Sequence, residues 1–316
     1  MRNKVLRVCL FFAVFALLFA GVSFVMTPKD ATEAAGIHDA DAKAFLAEPE
    51  NSLDVLFLGN SETYSGIVPL KIWEQSGIAS YGCGTPSQKL YQTESFLRRA
   101  LACQSPQLVF LETDILFQDY SRIDVLYHKA EEYVPLLRYH DRWKNLHGYD
   151  FVQPVRFETL SQNKGYVYMP GSVPPDVTGY MAPSDYVEPI PGKNVELLKK
   201  MHSMCQEKGA QLVLFTIPST MNGSMPRHNA VQLLARQLQV EYVDMNLLRE
   251  QIPIDWQTDT PDDGNHLNYY GAEKVSRYLA AWLTDTGLFT DKRQDPQYAA
   301  WNTAWEEFCA FLESQE

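Results

Sequence analysis

The sequence predicts an α/β domain built on a parallel sheet, carried behind one N-terminal membrane-spanning helix and interrupted by a long insertion. Three observations support this. Val8 to Met26 is a run of nineteen residues without a charge. Beyond residue 50, short apolar runs alternate with stretches of helical period, a pattern that requires parallel crossovers and a sheet covered on both faces. Three of the runs end at Ser61, Gly82 and Asp114, and in such sheets ligands bind outside the C-terminal strand ends.

The N-terminal run would span roughly 28 Å as a helix at about 1.5 Å per residue. Arg2, Lys4 and Arg7 precede it and Thr27-Pro28-Lys29-Asp30 follows, so the N-terminus is expected in the cytoplasm and the rest outside. A cleaved signal peptide is the rival reading. The run is longer than the usual apolar region of about 7–15 residues and ends without a small-x-small site, which favours an uncleaved anchor. The expected organisation is a stub and anchor at 1–26, a juxtamembrane linker at 27–50, the main α/β domain at 51–290 with an insertion at 115–192, and an amphipathic C-terminal helix at 291–316.

Leu53–Leu58 is a short apolar run ended by glycine, suited to a buried strand. A helix follows at Pro69–Gln75, then a turn-rich loop, Gly82-Cys83-Gly84-Thr85-Pro86. Gln88–Cys103 has helical spacing and Gln107–Leu111 reads as a strand. After the insertion come a helix at Val195–Lys208, a strand at Leu212–Ile217, a helix at Ala230–Leu238 and a strand at Glu241–Val243. Ala272, Val275, Leu279, Trp282 and Leu283 share one helical face. The linker carries a short helix at Asp39–Leu46. Residues 115–192, rich in Pro, Gly and Tyr without a clean period, read as one insertion over the sheet edge. Tyr298, Trp301, Trp305, Phe308 and Leu312 form a stripe expected to pack on the core.

Without the three N-terminal cations, 24 Lys and Arg face 39 Asp and Glu, a net charge of −15. Binding to nucleic acid or anionic lipid by charge is therefore excluded as a function class. Cys83, Cys103, Cys205 and Cys309 are dispersed, with neither C-x-x-C pairs nor histidines at ligand spacing. Free buried thiols are expected, and neither a metal nor an organic cofactor is implied.

The chemistry sits in two signatures about two hundred residues apart. Gly59-Asn60-Ser61 follows the first strand, and Asp263-Gly264-Asn265-His266 precedes the last helix of the sheet domain. Each alone has an ordinary reading: a turn capping a helix, or a polar loop whose Asn268 caps the next one. Together they supply a nucleophile (Ser61), a base (His266) and an orienting carboxylate, for which Asp-x-x-His spacing selects Asp263 over Asp262.

On these residues the chain resembles the SGNH/GDSL hydrolase superfamily, over 53–114 and 193–285. Gly59-Asn60-Ser61 is similar to its first block with Asn60 in place of the common Asp, Gly82 to its second-block oxyanion glycine, and Asp263, His266 and Gly271 to its last block. The implied fold is the three-layer, flavodoxin-like SGNH domain. The third block departs: Leu111-Glu112-Thr113-Asp114 stands where the family places an oxyanion-binding Asn, and an ionised Asp114 cannot donate. Asn60 is the substitute expected from this reading. Glu112 and Asp114 could also be purely structural.

The anchor, the insertion and this departure resemble the anchored SGNH proteins that act beside membrane-bound O-acyltransferases in bacterial cell-envelope acylation. The resemblance implies a multispanning partner of that kind, a glycan or teichoic-acid-like acceptor, and acetyl or D-alanyl transfer through an acyl-serine. In the insertion, His140, Arg142 and Trp143 are candidates to line the site, His140 and Arg142 either binding an anionic group on the acceptor or pairing with Asp141 and Glu131. Trp143, Tyr166, Tyr168 and Tyr180 read either as a sugar-stacking wall or as a tyrosine-rich surface loop. A carbohydrate deacetylase or esterase using the same triad, and a non-catalytic scaffold for the acyltransferase, are the alternatives.

Overall fold

The computed structural model describes residues 2–30 and 37–315. The chain divides into two units, one from Met1–Ala40 with Tyr120–Thr159, the other from Asp41–Asp119 with Leu160–Glu316.

The first unit begins with α1 (Arg2–Met26) and includes most of α2 (Ile37–Lys43), which runs on into Asp41 and beyond. In the second unit, β1 (Val55–Gly59), α3 (Ser61–Gly66), α4 (Pro69–Ser76), β2 (Ser80–Gly84), α5 (Leu90–Cys103) and β3 (Leu108–Glu112) follow in order. The chain then returns to the first unit for α6 (Arg122–Tyr133) and α7 (Pro135–Tyr139). It completes the second with α8 (Gly192–Glu207), β4 (Gln211–Thr216), α9 (Met225–Leu238), β5 (Glu241–Asp244), α10 (Tyr269–Asp285) and α11 (Ala299–Glu313).

The second unit is a three-layer α/β domain. Its five strands are all parallel, in the order β2-β1-β3-β4-β5, with Phe57 paired to Gly82 on one side and Phe110 on the other. Because side chains alternate along a strand, Val55, Phe57, Leu108, Phe110, Val213 and Phe215 face one way. They form a core with Ile72 of α4 and Val275, Leu279 and Leu283 of α10. Leu56, Leu58, Val109 and Leu111 point to the other face, and α5 and α8 pack against β1 and β4. Local chemistry sets the helix ends. Pro69 opens α4 and left-handed Gly77 closes it, while the Asn268 side chain caps α10 by accepting from the Tyr270 and Gly271 N–H groups. α11 packs on α4, with Trp73 and Trp301 in ring contact at 5.3 Å.

The structure corrects three expectations. Ser80–Gly84 is an edge strand, not the start of a loop, and residues 161–166 strap it: the Gly82 N–H donates to the Lys164 carbonyl at 3.0 Å. Gly165, at φ +86°, lies so close that a Cβ would fall 1.9 Å from the Gly82 oxygen. Such a cover protects a sheet edge that would otherwise offer unpaired groups. Residues 115–192 are not one insertion either, since Tyr120–Thr159 folds with α1 while Leu160 onward joins the sheet unit. The expected linker also divides. Residues 31–36 lie outside the described residues, while Ala42, Ala44, Phe45 and Glu48 are buried parts of the second unit.

In the first unit, α7 packs on α1 and the end of that helix is tied in by polar contacts. Arg142 donates to the Met26 carbonyl and to Asp150, each at 2.9 Å, and the Arg156 N–H donates to the Lys29 carbonyl at 2.7 Å. Asn3–Met26 is long and apolar enough to cross a membrane. The five cysteines are free, and Cys83 and Cys205 are buried.

Candidate active site

The turn after β1 admits only glycine at its first position, since a Cβ on Gly59 would lie 2.1 Å from Thr63 Oγ1 and 2.6 Å from Glu112 Cβ. Asn60 caps α3, its side-chain oxygen accepting from the Glu62 N–H at 3.0 Å. This fixes Ser61 as the first residue of the helix, at the C-terminal edge of the sheet and half-buried.

His266 arrives on the loop before α10. Its Nε2 lies 2.8 Å from Ser61 Oγ, and its Nδ1 lies 2.5 Å from Asp262 Oδ2. The other Asp262 oxygen accepts from the His266 backbone N–H at 2.8 Å, so one carboxylate holds both the ring and its backbone. A carboxylate only accepts, which places the imidazole proton on Nδ1 and leaves the Nε2 lone pair facing the serine hydroxyl. That is the posture of a general base.

The orienting carboxylate is therefore Asp262, and the expectation of Asp263 is corrected. Asp263 takes a left-handed conformation at φ +61°, which turns its side chain to solvent while its N–H donates to the Val173 carbonyl. Gly264 follows, also left-handed, pressed against Thr220 and Pro175. Buried Ser219, after β4, pins the loop by donating to the Gly264 and Asn265 carbonyls. The alternation of carboxylates at 262 and 263 was visible in the sequence; the reversal of chain direction that selects between them was not.

The oxyanion candidates are placed differently from expectation. The Gly82 N–H is committed to Lys164, and the residue lies two positions short of the strand end. Gly84 occupies that end, where a Cβ would stand 2.6 Å from the Asn60 carbonyl. The Gly-x-Gly spacing at 82 and 84 was the signal for it. The Asn60 amide donates to Asp114 at 2.8 Å. Asp114 also accepts from Arg227 at 2.7 Å and Gln118 at 3.0 Å, so it is a buried, charge-compensated anchor. The Ser61 backbone N–H, at the first helical position and without an intrahelical acceptor, remains as a donor.

Two buried carboxyls adjoin the turn that carries Ser61: Glu62, which the sequence did not single out, and Glu112, which it left open between site and scaffold. Glu62 is fully buried, and burial together with the Asp114 charge pushes its carboxyl up to about 8. One of its oxygens accepts from Asn222 at 2.6 Å; the other has no donor but faces Glu112. Glu112 is itself raised well above the carboxylate range by burial and by Glu62, while its oxygens accept the Asp114 N–H. The two facing carboxyls form a hydrogen bond once one carries a proton, which satisfies the orphan oxygen. Asn222 also donates to Asn265 at 3.3 Å, linking this pair to the histidine loop.

His140, Arg142 and Trp143 belong to the first unit. The Arg142 guanidinium is taken by Asp150 and the Met26 carbonyl, so it is paired within that unit, while His140 and Trp143 are exposed. The expected aromatic wall does not form as such. Tyr166 is buried against Phe308, Tyr168 contacts Phe311, and the Tyr180 hydroxyl donates to Asn246 at 2.7 Å. Among the described residues, no cluster of His, Cys, Asp and Glu could hold a metal ion.

No protein-family model and no curated protein matches the sequence. Among solved structures, the chain is similar to the lipase/acylhydrolase from Enterococcus faecalis, at 12% identity and a TM-score of 0.41, covering 74% of this chain and 96% of that one. It is also similar to the esterase from Pseudoalteromonas inhibited by monoethylphosphonate, at 13% identity, 73% and 98% coverage and a TM-score of 0.38. A third is a catalytic mutant of an acetylxylan esterase from Geobacillus stearothermophilus, at 11% identity, 74% and 95% coverage and a TM-score of 0.38.

Proposed function

We propose that this chain is an SGNH-type serine acyl-transfer enzyme, anchored by α1 and facing away from the cytoplasm. Its acceptor is a hydroxyl of a cell-envelope glycan or teichoic-acid-like polymer, and its partner a multispanning membrane-bound O-acyltransferase. The observation that carries the catalytic part is the hydrogen-bonded line from Ser61 Oγ through the His266 ring to Asp262.

Ser61 Oγ attacks the acyl carbon of the donor as its proton passes to His266 Nε2. Asp262 holds the ring and stabilises the resulting cation. The tetrahedral intermediate collapses to an acyl-serine, and the leaving group takes the proton from Nε2. An acceptor hydroxyl then attacks the acyl-serine, giving its proton to His266, which returns it to Ser61 Oγ. The backbone N–H of Ser61 faces the oxyanion. The side-chain donor expected from the third block is replaced by Asp114 in its ion pair with Arg227. Loss of one such donor costs about 10²–10³ in rate. A slow esterase in isolation, completed by its partner, is the behaviour this supports.

The anchor is supported by the tie that Arg142 makes to the Met26 carbonyl, because cleavage at the end of α1 would remove that acceptor. The test is fluorophosphonate labelling of the full chain in detergent, beside Ser61→Ala and His266→Ala. Labelling at Ser61, lost in both variants, supports the reading; folded wild type that does not label overturns it. Acylated protein offered glycerol against water then separates transfer from hydrolysis.

A further inference from the structure

The first unit carries a surface that the acyl-transfer reading does not use. In α6, Ile123, Leu126, Tyr127, Ala130 and Tyr133 fall on one stripe by helical spacing. The stripe is open: Ile123 is 75% exposed, Leu126 66% and Tyr133 86%. None of the helix's residues is buried. Exposed apolar area of this kind on a soluble face marks an interaction site.

What covers it follows from where α6 is held. Residues 3–22 of α1 are exposed along their whole length, and packing by the rest of the unit begins at Ser23. Twenty residues of helix span about 30 Å, the thickness of a bilayer's hydrocarbon core. The unit therefore closes around α1 where that core would end. The Leu136 N–H meets the Ser23 hydroxyl at 3.4 Å, Arg142 takes the Met26 carbonyl, and α6 packs on α7.

Composition agrees. Residues 120–159 contain eight Phe, Trp and Tyr in forty positions, against 12% for the chain, an enrichment typical of membrane–water boundaries. The same segment has six Lys and Arg against six Asp and Glu, a net of zero, whereas the chain as a whole carries −12. It is thus free of the negative charge that would repel the rest of the protein from a lipid surface.

We propose that the apolar stripe of α6 lies in the headgroup–acyl boundary of the outer leaflet, seating the first unit on the lipid surface around the end of α1. The inference rests on α1 remaining in the membrane. Binding of this kind draws on buried apolar area rather than charge, so it holds on zwitterionic lipid.

The test uses the full chain, with native cysteines replaced, in phosphatidylcholine vesicles. An environment-sensitive dye is attached in turn at Phe15→Cys, Leu126→Cys and Glu132→Cys, the last on the polar side of α6. Quenching by lipid-borne nitroxide is compared with quenching by aqueous iodide. The expected result is lipid quenching at 15 and 126, with the dye at 126 quenched roughly threefold more by nitroxide than that at 132. Lipid quenching at 15 with iodide quenching at 126 overturns the proposal and leaves the anchor standing. A dye at 126 shielded from both quenchers overturns it in favour of a protein-covered face. Failure of lipid quenching at 15 overturns the anchor, and the proposal with it.

Discussion

Asp262 and Asp263 are neighbours of one residue type, yet the site gives them separate work. Asp262 touches both the ring and the backbone of His266, whereas Asp263 is turned outward by its left-handed backbone. Asp262→Asn should lower the rate of acyl-serine formation by about 10²–10⁴, since an amide can leave the imidazole in the wrong tautomer. Asp263→Asn should stay within about twofold, because it removes only an exposed charge. Burst kinetics with p-nitrophenyl acetate distinguish the two, and the reverse ranking would restore the spacing rule. Glu62 has a different signature. Its carboxyl is protonated in the fold up to about 8 but ionises near 4.5 in the unfolded chain. The unfolded state therefore binds fewer protons across that window, and stability falls as pH rises through it, by about 1.4 kcal/mol per pH unit at most. Glu62→Gln keeps the shape without the proton, so its denaturation midpoint should vary less than wild type's between pH 5 and 8. Parallel curves for the two proteins would count against a protonated Glu62.

At the scale of elements, the end of β2 carries the tightest constraint near the nucleophile. A Cβ at Gly84 would press on the Asn60 carbonyl, moving the residue that caps α3 and sets Ser61. Gly84→Ala should slow fluorophosphonate labelling about tenfold or more, because small misplacements of a reacting group are costly. Gly192→Ala, with open space around it, should label like wild type. Equal labelling of both variants would mean that the turn adapts. This strand also shows where the sequence was hard to read. β1, β3 and β4 announce themselves by continuous apolar runs, as doubly covered strands must. Ser80-Tyr81-Gly82-Cys83-Gly84 has two glycines and a serine, which weaken any local preference for a strand. It is extended because β1 pairs with it on one side and the strap at Lys164 on the other, a partner eighty residues away. Ser61 and His266, which the fold brings within 2.8 Å of each other, were legible for the opposite reason, since each sits at a strand or helix end whose local signals survive in sequence. The choice of Asp262, the Glu62–Glu112 pair and the division of residues 115–192 depend on backbone turns and tertiary contacts that no local pattern encodes.

For the molecule as a whole, the sheet unit is assembled from distant stretches of chain, and one buried ion pair joins three of them. Lys164, in the edge strap, meets Glu48, from the segment entering the sheet, at 2.7 Å; both side chains are almost fully buried. The same ammonium lies 4.6 Å from the ring centroid of Trp301, in the C-terminal α11. A charge in such a place is tolerable only while its partner is present, and removing one member of a buried pair costs about 3–5 kcal/mol. Glu48→Gln should therefore lower the thermal midpoint of the full chain in detergent markedly, followed by tryptophan fluorescence. Lys164→Met in the Glu48→Gln background should recover much of the loss, because it withdraws the orphaned charge and leaves an apolar chain against Trp301. Since Lys164 also carries the carbonyl that holds the Gly82 N–H, its backbone contact would survive the change. A double variant no more stable than Glu48→Gln alone would show that the pair's value lies in its hydrogen bond and not in balancing a buried charge.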